Sequence, residues 1–217
     1  MPYNPAIHNR HSIRLLGYDY SAPGAYFLTI LSHKKEHFFG KVVKGVVELS
    51  TLGEIAKELW QKIPTHFSNV LLDEFVIMPN HIHGILVIKE GEGLPCKGKA
   101  FDYWLEQKNF DNQNHSVVYN NLSNNVANAL PTQRENESGS NAIPNQLGSQ
   151  PGSLPAIVQN YKSITSRKIN KLRHTPGSTI WHRNYYEHII RNEEDYNRIL
   201  QYIQENPLRW ESSDQLT

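Results

Sequence analysis

Apolar and β-branched residues crowd positions 25–32 (AYFLTILS), a run whose composition predicts a central strand. Two short apolar runs across 38–49 (FFGKVVKGVVEL) flank Lys44-Gly45 and predict a hairpin, because glycine accepts the positive φ of a tight turn. Thr51 and Glu54 then form a T-x-x-E capping box. Behind it Leu52, Ile55, Ala56, Leu59, Trp60 and Ile63 return at helical spacing until Pro64 stops the run. Strands at 70–78 and 81–89 follow, joined through Pro79-Asn80.

The pattern then changes. From 91 to 153 the chain is rich in Asn, Gln, Ser, Gly and Pro, with few clustered aliphatics. Such a stretch buries too little apolar surface to offset its ordering entropy, and is expected to be a disordered insertion. Only 101–105 is expected to pack locally. Periodicity resumes at 154–172, an amphipathic helix with Leu154, Ile157, Val158, Tyr161, Ile164, Ile169 and Leu172 inward. Residues 179–190 (TIWHRNYYEHII) read as a strand. Asn192 caps a last helix whose first turn carries Glu193, Glu194 and Asp195, and which is expected to end before Pro207.

Without the hairpin and the last helix, the order is β-α-β-β-α-β. The fold class is therefore α+β and ferredoxin-like: an antiparallel sheet with helices on one face, an extra hairpin and a C-terminal helix. One domain is split by its insertion into 1–90 and 154–210, with a tail at 211–217.

Composition adds limits. Over 217 residues, apolar positions make up 38 % and charged ones 20 %, and the low apolar share fits an unfolded insertion. A net charge of +1 argues against a protein that coats a polyanion uniformly, yet leaves room for a local basic face. The single cysteine, Cys96, excludes a disulfide framework and a cysteine zinc cluster. No secretory signal and no apolar run near ~20 residues is present, so a soluble, cytoplasmic protein is expected.

Three constellations carry candidate chemistry. His81 and His83 sit at i and i+2 on a strand, so both rings share one face and can reach one ion, while Ile82 faces the core. With 11 histidines the spacing carries little weight by frequency alone; its place after a tight turn between two strands gives it weight. On the last helix Tyr202 and Asn206, at i and i+4, share a flank beside the apolar stripe Tyr196, Ile199, Leu200, Ile203. A tyrosine so placed is either a boundary aromatic or a nucleophile awaiting a base or metal. Finally Lys162, Arg167, Lys168, Lys171 and Arg173 fall on one helix with no acidic residue. With Arg10, Arg14, Arg183 and Arg191 they form a candidate phosphate-binding surface, or a solvated face.

Four stretches carry a resemblance: 12–30 (SIRLLGYDYSAPGAYFLTI), 75–88 (FVIMPNHIHGILVI), 154–170 (LPAIVQNYKSITSRKIN) and 180–210 (IWHRNYYEHIIRNEEDYNRILQYIQENPLRW). Together they resemble the HUH single-tyrosine transposases of the REP-associated branch, within the IS200-like superfamily. The resemblance implies a ferredoxin-like fold, with His81 and His83 binding Mg²⁺ or Mn²⁺ and Tyr202 as nucleophile. It implies Asn206 as a further metal ligand, where relatives carry the longer glutamine. It also implies nicking and strand transfer of single-stranded, hairpin-forming DNA of REP-like palindromes through a 5′-phosphotyrosine, by a monomer or a homodimer near the nucleoid. Arg10, Arg14, Lys162, Arg167, Lys168, Lys171 and Arg191 are the candidate DNA contacts. The alternatives are a ferredoxin-like module that binds single-stranded nucleic acid without chemistry, and a small-molecule phosphohydrolase, for which the metal ligands are too few.

Overall fold

The computed structural model describes residues 15, 18–89 and 149–214. The expectations for residues 91–148, and for Arg10 and Arg14, lie outside the described residues. The elements are β1 (Gly24–Leu31), β2 (Gly40–Val43), β3 (Val46–Leu49), α1 (Thr51–Gln61), the single turn α2 (Ile63–His66), β4 (Val70–Met78) and β5 (His81–Ile88). After the insertion come α3 (Leu154–Arg173), β6 (Tyr186–Ile190) and α4 (Glu193–Asp214). Four strands form one sheet in the order β4-β5-β1-β6, antiparallel at every pairing, and β2 and β3 form a separate ribbon. This is the ferredoxin-like α+β arrangement that the pattern predicts.

Strand alternation divides the interior into two cores. Tyr26, Leu28, Ile30, Ile82, Leu86 and Ile88 face α1 and α3, where they meet Trp60, Leu154, Ile157 and Tyr161. The odd positions Phe27, Ile85 and Val87 face the other way and pack against Ile199 and Ile203 of α4. All eight residues of β5 are buried, as expected of a strand covered on both faces. The approach of α1 depends on Gly84, where a Cβ would come within 2.5 Å of the Trp60 ring. The ribbon turns at Lys44 and Gly45, both at positive φ (52° and 71°), as a two-residue hairpin requires.

Four local expectations are corrected. The cap of α1 is Ser50 rather than Thr51: its Oγ accepts from the Gly53 amide at 3.1 Å and donates to the Phe38 carbonyl at 2.6 Å. On α3, Leu172 is exposed, while Thr165 and Asn170 are buried; Thr165 Oγ1 donates to the Tyr161 carbonyl (2.7 Å) and Asn170 Nδ2 to that of Ser178 (2.7 Å). The stretch 179–190 is not one strand. Trp181 makes a single bridge to Ser32, and the chain then leaves the sheet until Tyr186. Lys162 Nζ holds that detour by donating to the carbonyls of His182, Arg183 and Asn184 at 2.8, 3.1 and 3.2 Å.

The fourth concerns Pro207, which lies inside α4 rather than beyond it. The proline removes one backbone donor, yet the helix continues through it, with contacts on both sides. Ile199 and Ile203 are buried before it, Leu208 lies against Gly45 of the ribbon, and the Trp210 ring lies 5.6 Å from that of His81. At the start of α4 the Asn192 side chain accepts from the Asp195 amide at 2.8 Å, so the expected cap is present.

Candidate active site

The pairing of β5 with β1 places His83 opposite Thr29 and His81 opposite Leu31. Both imidazoles project toward α4, and their ring centroids lie 4.5 Å apart. They are 8 % and 4 % exposed. Burial pulls the His81 ring down to about 4, partly offset by a hydrogen bond with the Asn206 side chain. Burial likewise pulls His83 down to about 3, and the neighbouring His81 adds to the effect. Both rings are therefore neutral at physiological pH, the form that ligates a metal.

Second partners fix which nitrogen each ring presents. The Asn80 Oδ1 is an acceptor, so His81 Nδ1, at 2.7 Å, carries the proton and its Nε2 keeps a lone pair. Thr29 Oγ1 lies 2.9 Å from His83 Nδ1 and steadies that ring from the same side, as either donor or acceptor. The His83 Nε2 faces the Tyr202 hydroxyl at 3.3 Å. Helical spacing brings Asn206 one turn beyond Tyr202, where it is buried with its amide against His81. Two neutral imidazoles and the Asn206 side-chain amide thus lie together beside a phenol. This donor set fits a divalent ion, and its two nitrogens suit Mn²⁺ better than the oxygen-preferring Mg²⁺. Among the described residues no group of three or more His, Cys, Asp or Glu forms a candidate metal centre, and this site has only two such residues.

The phenol is fixed by aromatic neighbours. Its ring centroid is 5.1 Å from His83 and 6.1 Å from Phe27, and the Arg209 guanidinium lies 5.8 Å over its face. Phe27 in turn stacks on His83 at 5.3 Å. A cavity of about 580 Å³ opens from this corner between β1, β6 and α4, with His83, Tyr202, Tyr186, His188 and Arg198 on its walls.

The structure brings Tyr202, His81, His83 and Asn206 together, and sets the basic helix apart from them. The apolar stripe of α3 packs on the opposite face of the sheet. Arg167, Lys168, Lys171 and Arg191 are exposed, with Lys168 also bound to Glu58 at 2.5 Å. Lys162 is engaged by its three carbonyls. Sequence reasoning missed Phe27, Thr29, Tyr186, His188 and Trp210. Thr29 and Phe27 are recognisable only once the strand register is known, and Trp210 only once α4 is known to pass Pro207. Asn80, directly before His81, was open to notice.

No known family model matches the chain. Among solved structures it superposes on a REP-associated tyrosine transposase bound to a REP hairpin, with a TM-score of 0.50 over 92 % of this chain and 74 % of that one, at 14 % identity. The fold is thus that of a REP-associated tyrosine transposase, as the sequence resemblance implies. The chain belongs to the same family as an uncharacterized protein of Haemophilus influenzae, to which it is 38 % identical over 217 residues, covering 99 % of this chain and 96 % of the relative.

Proposed function

We propose that this protein is a metal-dependent single-tyrosine transposase that nicks and rejoins single-stranded, hairpin-bearing DNA. The observation that carries the reading is the Tyr202 hydroxyl 3.3 Å from the Nε2 of a buried, neutral His83, with His81 and Asn206 beside it. The solved neighbour, described as bound to a REP hairpin, supports hairpin DNA as the ligand.

In this reading His81, His83 and the amide oxygen of Asn206 would hold Mg²⁺ or Mn²⁺, and the ion would neutralise charge gathering on the phosphate oxygens. The chain's own residues do the rest. Phe27, His83 and Arg209 hold the Tyr202 ring, so that few orientations of the phenol must be given up on the way to reaction. The Arg209 guanidinium, 5.8 Å over the ring face, adds a cation–π contact that steadies the phenol. As Tyr202 Oη bonds to phosphorus, the bond from phosphorus to the 3′-oxygen breaks. The products are a 5′-phosphotyrosyl chain and a free 3′-hydroxyl. One phosphodiester replaces another, so a second 3′-hydroxyl can reverse the step onto a different strand without ATP.

The test is a denaturing gel of the full chain with a labelled hairpin oligonucleotide carrying single-stranded flanks. A covalent adduct is expected with Mn²⁺ or Mg²⁺, lost with chelator and in Tyr202→Phe. Binding without an adduct under any ion would instead establish a non-catalytic nucleic-acid module.

A further inference from the structure

We propose that the cavity between β6 and α4 seats the base of an unpaired nucleotide adjoining the reacting phosphate, with the ring of Tyr186 as its stacking platform. This rests on the transposase reading above and adds a subsite to it. Three observations converge on it.

The first is Tyr186 itself. It opens β6, at the edge of the sheet, and is 53 % exposed. Its ring is nevertheless steadied: Phe27 meets it edge-on, at 6.5 Å between centroids and 69° between planes. A solvent-facing aromatic held at a fixed angle beside a polar cavity suits stacking with a base, which any base satisfies with its π-face.

The second is the balance of charge on the walls. Arg198 pairs with Asp195, which also holds His188 at 2.7 Å, and Arg209 pairs with Glu205 at 2.7 Å. Each guanidinium is matched by a carboxylate, so the cavity offers oriented donors without the surplus positive charge that a phosphate demands. A neutral ring with polar edges matches such walls. Gln201, whose Nε2 donates to Glu205 at 2.6 Å, adds a side-chain amide to the wall.

The third is position and size. His83 and Tyr202 form part of the same cavity wall, so an occupant there directly adjoins whatever Tyr202 attacks. The volume of about 580 Å³ lies within the ~300–1,000 Å³ common for small-ligand sites.

The experiment has two arms on the full chain. In the first, Tyr202→Phe protein with chelator is titrated against labelled dT4, dA4, dC4 and dG4, read by fluorescence anisotropy. Adding Tyr186→Ala is expected to weaken binding about tenfold, in line with ~1–3 kcal/mol per stacked base, and Tyr186→Trp to restore it. In the second, hairpin oligonucleotides randomised on both sides of the nick are sequenced after adduct formation. There Tyr186→Ala is expected to flatten the base preference at one adjoining position and leave the others. Equal tetranucleotide affinity with Tyr186 and with Ala, or no affinity at all, overturns the subsite whatever the second arm gives. Absence of adduct with the wild type counts against the transposase reading alone, because the first arm needs neither metal nor nucleophile.

Discussion

Thr29 and Asn80 hold the Nδ1 atoms of His83 and His81 at 2.9 and 2.7 Å, and so orient the two rings toward α4. Removing such a supporting partner commonly costs 10–100-fold in metal affinity while leaving the ligands in place. Thr29→Val keeps the shape and loses the hydroxyl. It is expected to weaken Mn²⁺ binding within that range by calorimetric titration, with little change in melting temperature. An unchanged affinity would mean that the hydroxyl does not orient the ring. Gly84 acts at the same scale by exclusion. Gly84→Ala puts a methyl 2.5 Å from the Trp60 ring and 3.1 Å from the Phe75 Cβ. Overpacking of that kind costs about 1–3 kcal/mol, readable as a lower urea midpoint at unchanged slope.

At the level of the elements, the departure of 183–185 from the sheet rests on Lys162. Lys162→Ala leaves three carbonyls without their donor and is expected to destabilise the protein by about 1–3 kcal/mol. Burial pulls this ammonium from 10.5 down to about 8. Between those two values the unfolded chain holds a proton that the folded chain has released. The contribution of Lys162 to stability therefore rises with pH from about 8 to 10.5, and the gap between wild type and Lys162→Met should widen across that window in denaturant titrations.

Much of this level was legible in advance. β-rich apolar composition placed β1, β4 and β5 to within a residue, and the H-x-H on one face of β5 followed from the period of two. What stayed hidden depended on distant partners. Nothing near 183 announces that a lysine some twenty residues earlier takes its carbonyls. Pro207 ends a helix on local grounds, and only distant packing, of Ile203 before it and Trp210 after it, carries α4 past it. Asn206 was legible as a neighbour of Tyr202, but its burial against His81 belongs to that same packing.

Across the whole molecule, the sheet separates two surfaces. The Tyr202 cavity lies on the α4 side, and the exposed Arg167 and Lys171 lie on α3, which covers the opposite face. If α3 grips phosphates of a bound strand, Arg167→Ala with Lys171→Ala should reduce the salt slope of single-stranded DNA binding by about 1.4, at ~0.7 per phosphate. The rate of adduct formation at saturating DNA should hold. An unchanged slope would assign α3 to solvent.

The burial of β5 on both faces has a dynamic consequence. Amide protons of residues 81–88 can meet water only when the sheet itself opens, so they should exchange at the rate of global unfolding. The platform under the two imidazoles is then the slowest-breathing part of the molecule. Any yielding at the candidate site falls to the outer helix, whose backbone ladder already lacks a rung at Pro207.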